Sequence, residues 1–198
     1  MSDSLRAIRA CTSLSELRGI EGDAAASYFS VFDELILRDT ETFRFRGRVR
    51  RPPTDPVNAM LSLFCSVLSR DCASALESVG LDPYIGFLHV DRPGRRSLAL
   101  DCMEEFRPLL VDRFVLTAIN NRVVNARSFE RGEGDEVRLN DSGKKALFEL
   151  RQERKRENVR HPFLEEKVAR DLLPFVQAQL LAKYLRGDLD GYPPFLWK

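Results

Sequence analysis

The stretch LDPYIGFLHVDRPGRRSLALDCMEEFRP, residues 81–108, decides how this chain is read. An apolar segment ending at His89 leads into a basic turn, and the turn leads into a segment with acids at 101, 104 and 105. If that second half is helical, Asp101, Glu104 and Glu105 lie three and four residues apart, so their carboxylates rise from one face. Three acids on one face repel one another, and His89 is a turn away from delivery to the same place. An imidazole that converges with carboxylates is a donor set for a divalent metal. The same residues also fit a core-packed histidine and a solvated acidic face paired with Arg92, Arg95 and Arg96.

Working outward, helical spacing continues from Ser97 through Leu98, Cys102, Phe106, Leu109, Leu110 and Phe114 to about Asn121, with a kink expected at Pro108. Upstream, Asp55 is a candidate N-cap and Pro56 a first helical residue. The apolar face then runs Met60, Leu61, Phe64, Val67 and Leu68. A second helix is expected from Asp71 to Val79, closed by Gly80. Downstream, Ser128–Asn140 reads as a small hairpin or loop. Asn140 or Asp141 caps a helix to about Glu157, and His161-Pro162 opens another that ends at Gly187. At the N-terminus, residues 4–18 read as short helical turns broken near Thr12, and Ala24–Phe32 as a helix with Glu21 near its start. There the helix dipole favours a carboxylate by about 0.3–1 kcal/mol. The fold class is mainly α: a multi-helical domain with a small hairpin or loop insertion around 128–140.

Composition narrows the partners. The 198 residues are 43% apolar with 13 Phe, enough for a full core. Thirty-one basic against 30 acidic side chains give a net charge of +1, so any nucleic-acid surface must come from local clustering. Residues 42–54, TFRFRGRVRRPPT, are such a cluster: Arg44, Arg46, Arg48, Arg50 and Arg51 occur without an acid, alternating with Phe43, Phe45 and Val49 as in an extended segment. It reads either as a solvated loop or as a phosphate-neutralising segment. The four cysteines have no C-x-x-C spacing, which argues for buried thiols. No apolar run reads as the roughly 20 residues of a membrane span. No secretory core is seen, so a soluble, cytoplasmic protein is expected. The tail GYPPFLWK, residues 191–198, either packs back over the helices or anchors in a partner's groove.

Three blocks then carry a resemblance: Arg18-Gly-Ile-Glu21-Gly22, Gly80-Leu-Asp-Pro83-Tyr-Ile-Gly86-Phe-Leu-His89, and Leu98-Ala-Leu-Asp101-Cys-Met-Glu104-Glu-Phe-Arg107-Pro108. Together they resemble the catalytic domain of the CRISPR-associated integrase of spacer acquisition, the Cas-one family, with a closeness that suggests its type I-C branch. The resemblance implies a metal-dependent DNA endonuclease and integrase of a prokaryotic cytoplasm. Its metal, Mg²⁺ or Mn²⁺, would be held by Glu21, His89 and Glu104, with Asp101 as a supporting catalytic residue and Glu105 a bystander. Arg92 and Arg107, with Arg48, Arg50 and Arg51, would face DNA phosphate. Family members carry an N-terminal β-rich domain that nothing here matches. Residues 1–20 therefore correspond to a linker helix region and 21–198 to the helical catalytic domain.

Implied partners are DNA, double-stranded, branched or with 3′ overhangs, a second copy of the full-length family member, and a small ferredoxin-like CRISPR adaptation protein. No membrane is involved. The reaction implied is attack of a captured fragment's 3′-hydroxyl on the CRISPR repeat, and a hard cation on oxygen ligands suits the charge that grows in phosphodiester transesterification. The other reading of the chain is a non-catalytic helical module that binds DNA or protein.

Overall fold

A computed structural model describes residues 2–196. The chain runs α1 (Ser2–Ala10), α2 (Leu14–Ser30), α3 (Pro56–Ser78), α4 (Ser97–Arg107), α5 (Arg113–Asn120), β1 (Phe129–Arg131), β2 (Val137–Leu139), α6 (Asp141–Lys155), β3 (Asn158–Arg160), β4 (Lys167–Ala169) and α7 (Leu173–Leu185). The strands form two separate antiparallel hairpins, with Glu130 opposite Arg138 in one and Val159 opposite Val168 in the other. The architecture is mainly α, as expected, with the first hairpin where the insertion was expected.

Helix α3 lies at the centre and packs on both α4 and α7. Its start follows the sequence: Asp55 accepts from the Asn58 N–H at 2.8 Å, and Pro56 is at the first turn. Contrary to expectation it is one helix of 23 residues, not two. Arg70 is exposed and Asp71 pairs with Arg151 of α6, so the polar residues that looked like a break fall on the outer side. Unbroken, α3 is long and apolar enough to cross a membrane by length and composition, which corrects the reading that no run approaches a span. Half of that stretch is buried inside the protein, including Met60, Leu61, Phe64 and Leu76. Burying each such side chain contributes about 1.5–3 kcal/mol.

Three other elements depart from the sequence reading. Helix α2 runs without interruption through Gly19 and Gly22, opened by Ser13, whose hydroxyl accepts from the Glu16 N–H at 3.2 Å. The break near Thr12 is present, but Glu21 and residue 20 fall in the middle of α2, so Glu21 is not a helix-start acid. At Pro108, which lacks an N–H, the α4 ladder widens into a π-helical turn, Pro108–Asp112, that leaves Leu109, Val111 and Asp112 buried. His161-Pro162 opens no helix. His161 Nδ1 accepts from the Phe163 and Leu164 N–H groups at 3.3 and 3.2 Å, which shapes the turn between β3 and β4. Helix α7 begins only at Leu173.

The tail packs back. Phe195, 2% exposed, lies against Phe106 and His161, each with ring centroids 5.5 Å apart. Glu105, expected to be a bystander, receives the tail. It accepts from Tyr192 O–H at 2.6 Å, Phe195 N–H at 2.8 Å and Gln177 Nε2 at 3.0 Å. Trp197 and Lys198 lie outside the described residues.

Candidate metal centre and nucleic-acid interface

Residues 83–91 fold over the start of α4. That helix has no side-chain N-cap; the Pro83 carbonyl accepts from the Leu98 and Ala99 N–H groups at 3.0 and 3.2 Å instead. Asp101, one turn on, gathers the loop. Its Oδ2 accepts from the Phe87 and Leu88 N–H groups at 2.6 and 3.0 Å, and its Oδ1 accepts from the His89 N–H at 2.9 Å. Oδ1 also lies 2.7 Å from His89 Nδ1. Gly86 is needed for this approach, because a Cβ there would sit 2.7 Å from Ser97 Cβ and 3.0 Å from Asp101 Oδ2.

Burial on its own pushes the Asp101 carboxyl up. The His89 ring and the three backbone N–H groups outweigh it and hold Asp101 below the ordinary carboxylate range, as an anion. An anion on Nδ1 fixes the imidazole with its proton there and leaves Nε2 as a lone-pair donor, the arrangement metal-binding histidines use. Asp101 is 11% and His89 21% exposed, so the pair faces limited water.

The other two expected ligands are placed less tightly. Glu104, one turn after Asp101 on α4, is 29% exposed and pairs with Arg107 at 3.3 Å. Glu21 is exposed on α2. Arg18, one turn earlier on α2, donates to the Leu88 carbonyl at 2.6 Å, which brings that part of α2 against the histidine loop. Among the described residues no three His, Cys, Asp or Glu side chains come together closely enough to hold a metal ion. The donor chemistry nevertheless fits a hard divalent cation: a pre-oriented imidazole nitrogen with an adjacent carboxylate, and a second carboxylate on the helix that touches the same loop.

Arg107 is turned inward instead of towards solvent. It is 13% exposed, sits over the Phe29 ring at 5.2 Å, and lies 3.6 Å from Asp112, which also accepts from Tyr28 O–H at 3.1 Å. Sequence reading missed Asp112 and Tyr28; 84 residues separate them, and only the π-helical turn buries the acid. Asp112 is 1% exposed, and burial raises its carboxyl to about 6 against the pull of Arg107 and Tyr28, with Glu104 raising it further. The folded state therefore holds this proton more tightly than the unfolded chain. Stability from Asp112 is complete below pH 4 and declines as pH rises through about 6, by roughly 3 kcal/mol for a shift of about two units. The melting-temperature difference between Asp112→Asn and wild type is accordingly expected to move in favour of the variant between pH 4 and 7. A difference that stays flat over that range would show that Asp112 titrates normally.

The arginine segment, expected to be extended, is a loop of turns and bends with no strand, and Phe43 and Phe45 are buried beneath it. Asn58, fully buried on α3, pins it: its Oδ1 accepts from Arg48 at 2.9 Å and from the Val49 N–H at 3.0 Å, and its Nδ2 donates to the Gly47 carbonyl at 2.8 Å. Arg48 also donates to Ser62 at 3.1 Å, so it serves the fold. Arg44, Arg46, Arg50 and Arg51 are exposed, as is Arg92 beside the histidine loop.

A helical domain that pins a histidine to an aspartate near a helix start, with a second acid one turn on, presents a carboxylate–histidine donor set of the kind that suits a hard divalent cation. The family model for CRISPR associated protein Cas1 matches residues 1–153, and the chain belongs to that family. It is 57% identical over 182 residues to the CRISPR-associated endonuclease Cas1 2 of Rhodospirillum rubrum, covering 92% of this chain and 53% of the relative. It is 50% identical over 198 residues to the CRISPR-associated endonuclease Cas1 1 of Chlorobaculum tepidum, covering 100% and 58%. The chain thus spans about half the length of the curated relatives it matches. Among solved structures, a casposase bound to integration product superposes with a TM-score of 0.86 at 27% identity, covering 96% of this chain and 52% of that one. A CAS1 protein from Thermotoga maritima gives 0.83 at 34% identity, covering 94% and 56%. A Cas6-RT-Cas1–Cas2 complex gives 0.83 at 26% identity, covering 100% and 21%.

Proposed function

We propose that this chain is the catalytic part of a metal-dependent DNA endonuclease and integrase of CRISPR adaptation. The observation that carries the reading is the Asp101–His89 pair, with Glu104 one turn further on the same helix. Membership of the Cas1 family and likeness to a casposase bound to integration product support it. His89 Nε2 and Glu104, with Glu21 from α2, are the residues that would hold Mg²⁺ or Mn²⁺. When bound, such an ion stabilises the charge that develops on the phosphoryl oxygens. Asp101 keeps the imidazole in the tautomer that presents Nε2. Arg107 pairs with Glu104 at 3.3 Å and so limits where that carboxylate points. Residues 21–198 act as the catalytic unit, and the attacking group is the 3′-hydroxyl of captured DNA, or water in simple cleavage. Joining both ends of a fragment calls for two such sites at fixed separation, so we propose a second copy and a Cas2-type ferredoxin-like partner as the assembly.

The test is incubation of the chain with labelled branched DNA carrying 3′ overhangs, in Mn²⁺ and in excess chelator. Cleavage in Mn²⁺ that chelation removes is the expected result. DNA binding without cleavage in any divalent ion would instead leave a non-catalytic binding module.

DNA is held through phosphates, which position a duplex without reading its bases. Replacing Arg44, Arg46, Arg50 and Arg51 with Ala is expected to flatten the dependence of binding on salt, each lost contact lowering the slope of log K against log salt by about 0.9. Fluorescence-anisotropy titrations at several salt concentrations measure this, and an unchanged slope would remove the segment from the interface. Arg48→Ala, by contrast, should lower the melting temperature, since it removes one of the two hydrogen bonds to the buried Asn58 Oδ1 and the one to Ser62.

A further inference from the structure

We infer that Glu105 is a positioning residue for its neighbour Glu104, and that the C-terminal strap, residues 188–196, is the part that holds it; the inference rests on the proposed role of Glu104. Helix α4 is tied down at two points one turn apart. At the first, Asp101 binds the histidine loop. At the second, Glu105 accepts from Tyr192 O–H at 2.6 Å, Phe195 N–H at 2.8 Å and Gln177 Nε2 at 3.0 Å. Gln177 is in turn joined to His161 Nε2 at 2.9 Å, so the strap, α7 and the turn between β3 and β4 all converge on one carboxylate of the candidate catalytic helix.

Glu105 is half-buried, and a carboxylate there is an inefficient way to stabilise a core, since apolar side chains of similar volume do as well or better. Directional donors from separate elements supply something apolar packing does not: they fix the rotation of α4 about its axis. Glu104 and Glu105 leave the helix about 100° apart but share that rotation. A turn of about 10° would carry a carboxylate roughly 6 Å from the axis sideways by about 1 Å. An error of that size at a reacting centre costs about 100-fold in rate. Phe195 packed against Phe106 closes the same side, so docking of the strap and the direction of Glu104 are mechanically one variable.

Tyr192→Phe tests this, because it removes the hydroxyl that bonds Glu105 and Gln177 and keeps the ring. Val124→Ala, a buried position outside the site and the strap, serves as a comparison that loses at least as much thermal stability. Both are assayed well below their melting temperatures. In Tyr192→Phe, hydrogen exchange at amides 101–107 is expected to quicken, the Mn²⁺ concentration for half-maximal cleavage to rise about 10-fold, and kcat to fall about 10-fold with KM for DNA unchanged. Val124→Ala should show none of these changes. Unaltered exchange at 101–107 in Tyr192→Phe, or equal shifts in Val124→Ala, would overturn the inference. A wild type that cleaves nothing in Mn²⁺ would instead sink the proposed role of Glu104, and the exchange measurement would still decide whether the strap holds α4.

Discussion

Glu104→Ala is expected to lower Mn²⁺-dependent DNA cleavage at least about 1000-fold while leaving the melting temperature within about 3 °C of wild type at pH 7. The rate effect follows from removing a carboxylate proposed as a ligand, whose contribution through the ion would be several kcal/mol, at 1.36 kcal/mol for each factor of ten. The small stability effect follows from what Glu104 touches. Its one ion pair, with Arg107 at 3.3 Å, is 29% exposed on the Glu104 side, and such pairs contribute about 0–1 kcal/mol. For a domain of this size 1 kcal/mol moves the melting temperature by about 2–4 °C. Arg107 keeps Asp112 and the Phe29 ring, and loss of the Glu104 charge removes one of the causes that raise Asp112. Glu104→Gln should behave alike, separating lost charge from lost volume. Undiminished cleavage by either variant would move the catalytic centre elsewhere.

The helix boundaries that were legible in the sequence are those written in local chemistry. Asp55-Pro56 fixed the start of α3 and Asn140 that of α6, where its side chain accepts from the Gly143 N–H at 2.9 Å. The boundaries that were not legible depend on partners distant in sequence. The Arg70-Asp71 pair looked like an interruption until Arg151 of α6 supplied a place for Asp71. Residues 19–23, with Gly19 and Gly22, lay between two expected helical segments, but two glycines cost a helix only about 2 kcal/mol, which the packing of α2 can offset. His161-Pro162 has the composition of a helix start. The ring nitrogen took the backbone donors that a cap would have taken.

The candidate site divides in the same way. The spacing of Asp101, Glu104 and Glu105 on one helix was readable, and so was the delivery of His89 to Asp101. Glu21 was placed by motif alone, and the structure brings its helix to the loop through Arg18 without gathering three ligands. Arg48 and Arg107 could not be told from their exposed neighbours, because the residues that draw them inward, Asn58, Asp112 and Phe29, carry no signature. Glu105 was set aside as surplus charge, and no local signal marked it as the acceptor for a tail 87 to 90 residues away.

Asp101→Asn is expected to reduce cleavage about 100-fold and, unlike Glu104→Ala, to destabilise the fold by about 3 kcal/mol. Each Asp101 oxygen accepts two hydrogen bonds, so an amide nitrogen in place of either one turns two acceptor contacts into donor–donor clashes. Hydrogen bonds to charged groups contribute about 1.5–3 kcal/mol each, and unsatisfied buried donors add to the loss. If the nitrogen faces the loop, the Phe87 and Leu88 N–H groups are stranded and the loop that carries His89 loses two of its anchors. If it faces His89, the imidazole must present a lone pair at Nδ1 and carry its proton on Nε2, which removes the donor proposed for the ion. Both outcomes weaken metal binding, and disturbed partners of this kind cost about 10–100-fold in affinity or activity. The pH dependence identifies the cause. The Asp101 carboxyl is held below its ordinary value in the folded state, so its stabilisation is present above the unfolded value near 4 and is lost as pH falls through the folded one. The gap in melting temperature between wild type and Asp101→Asn should therefore stay constant from pH 8 to 5 and close below pH 4, opposite in sign to the Asp112 effect. A gap that does not narrow at all as pH falls below 4 would mean that shape, and not the anion, holds the histidine loop in place.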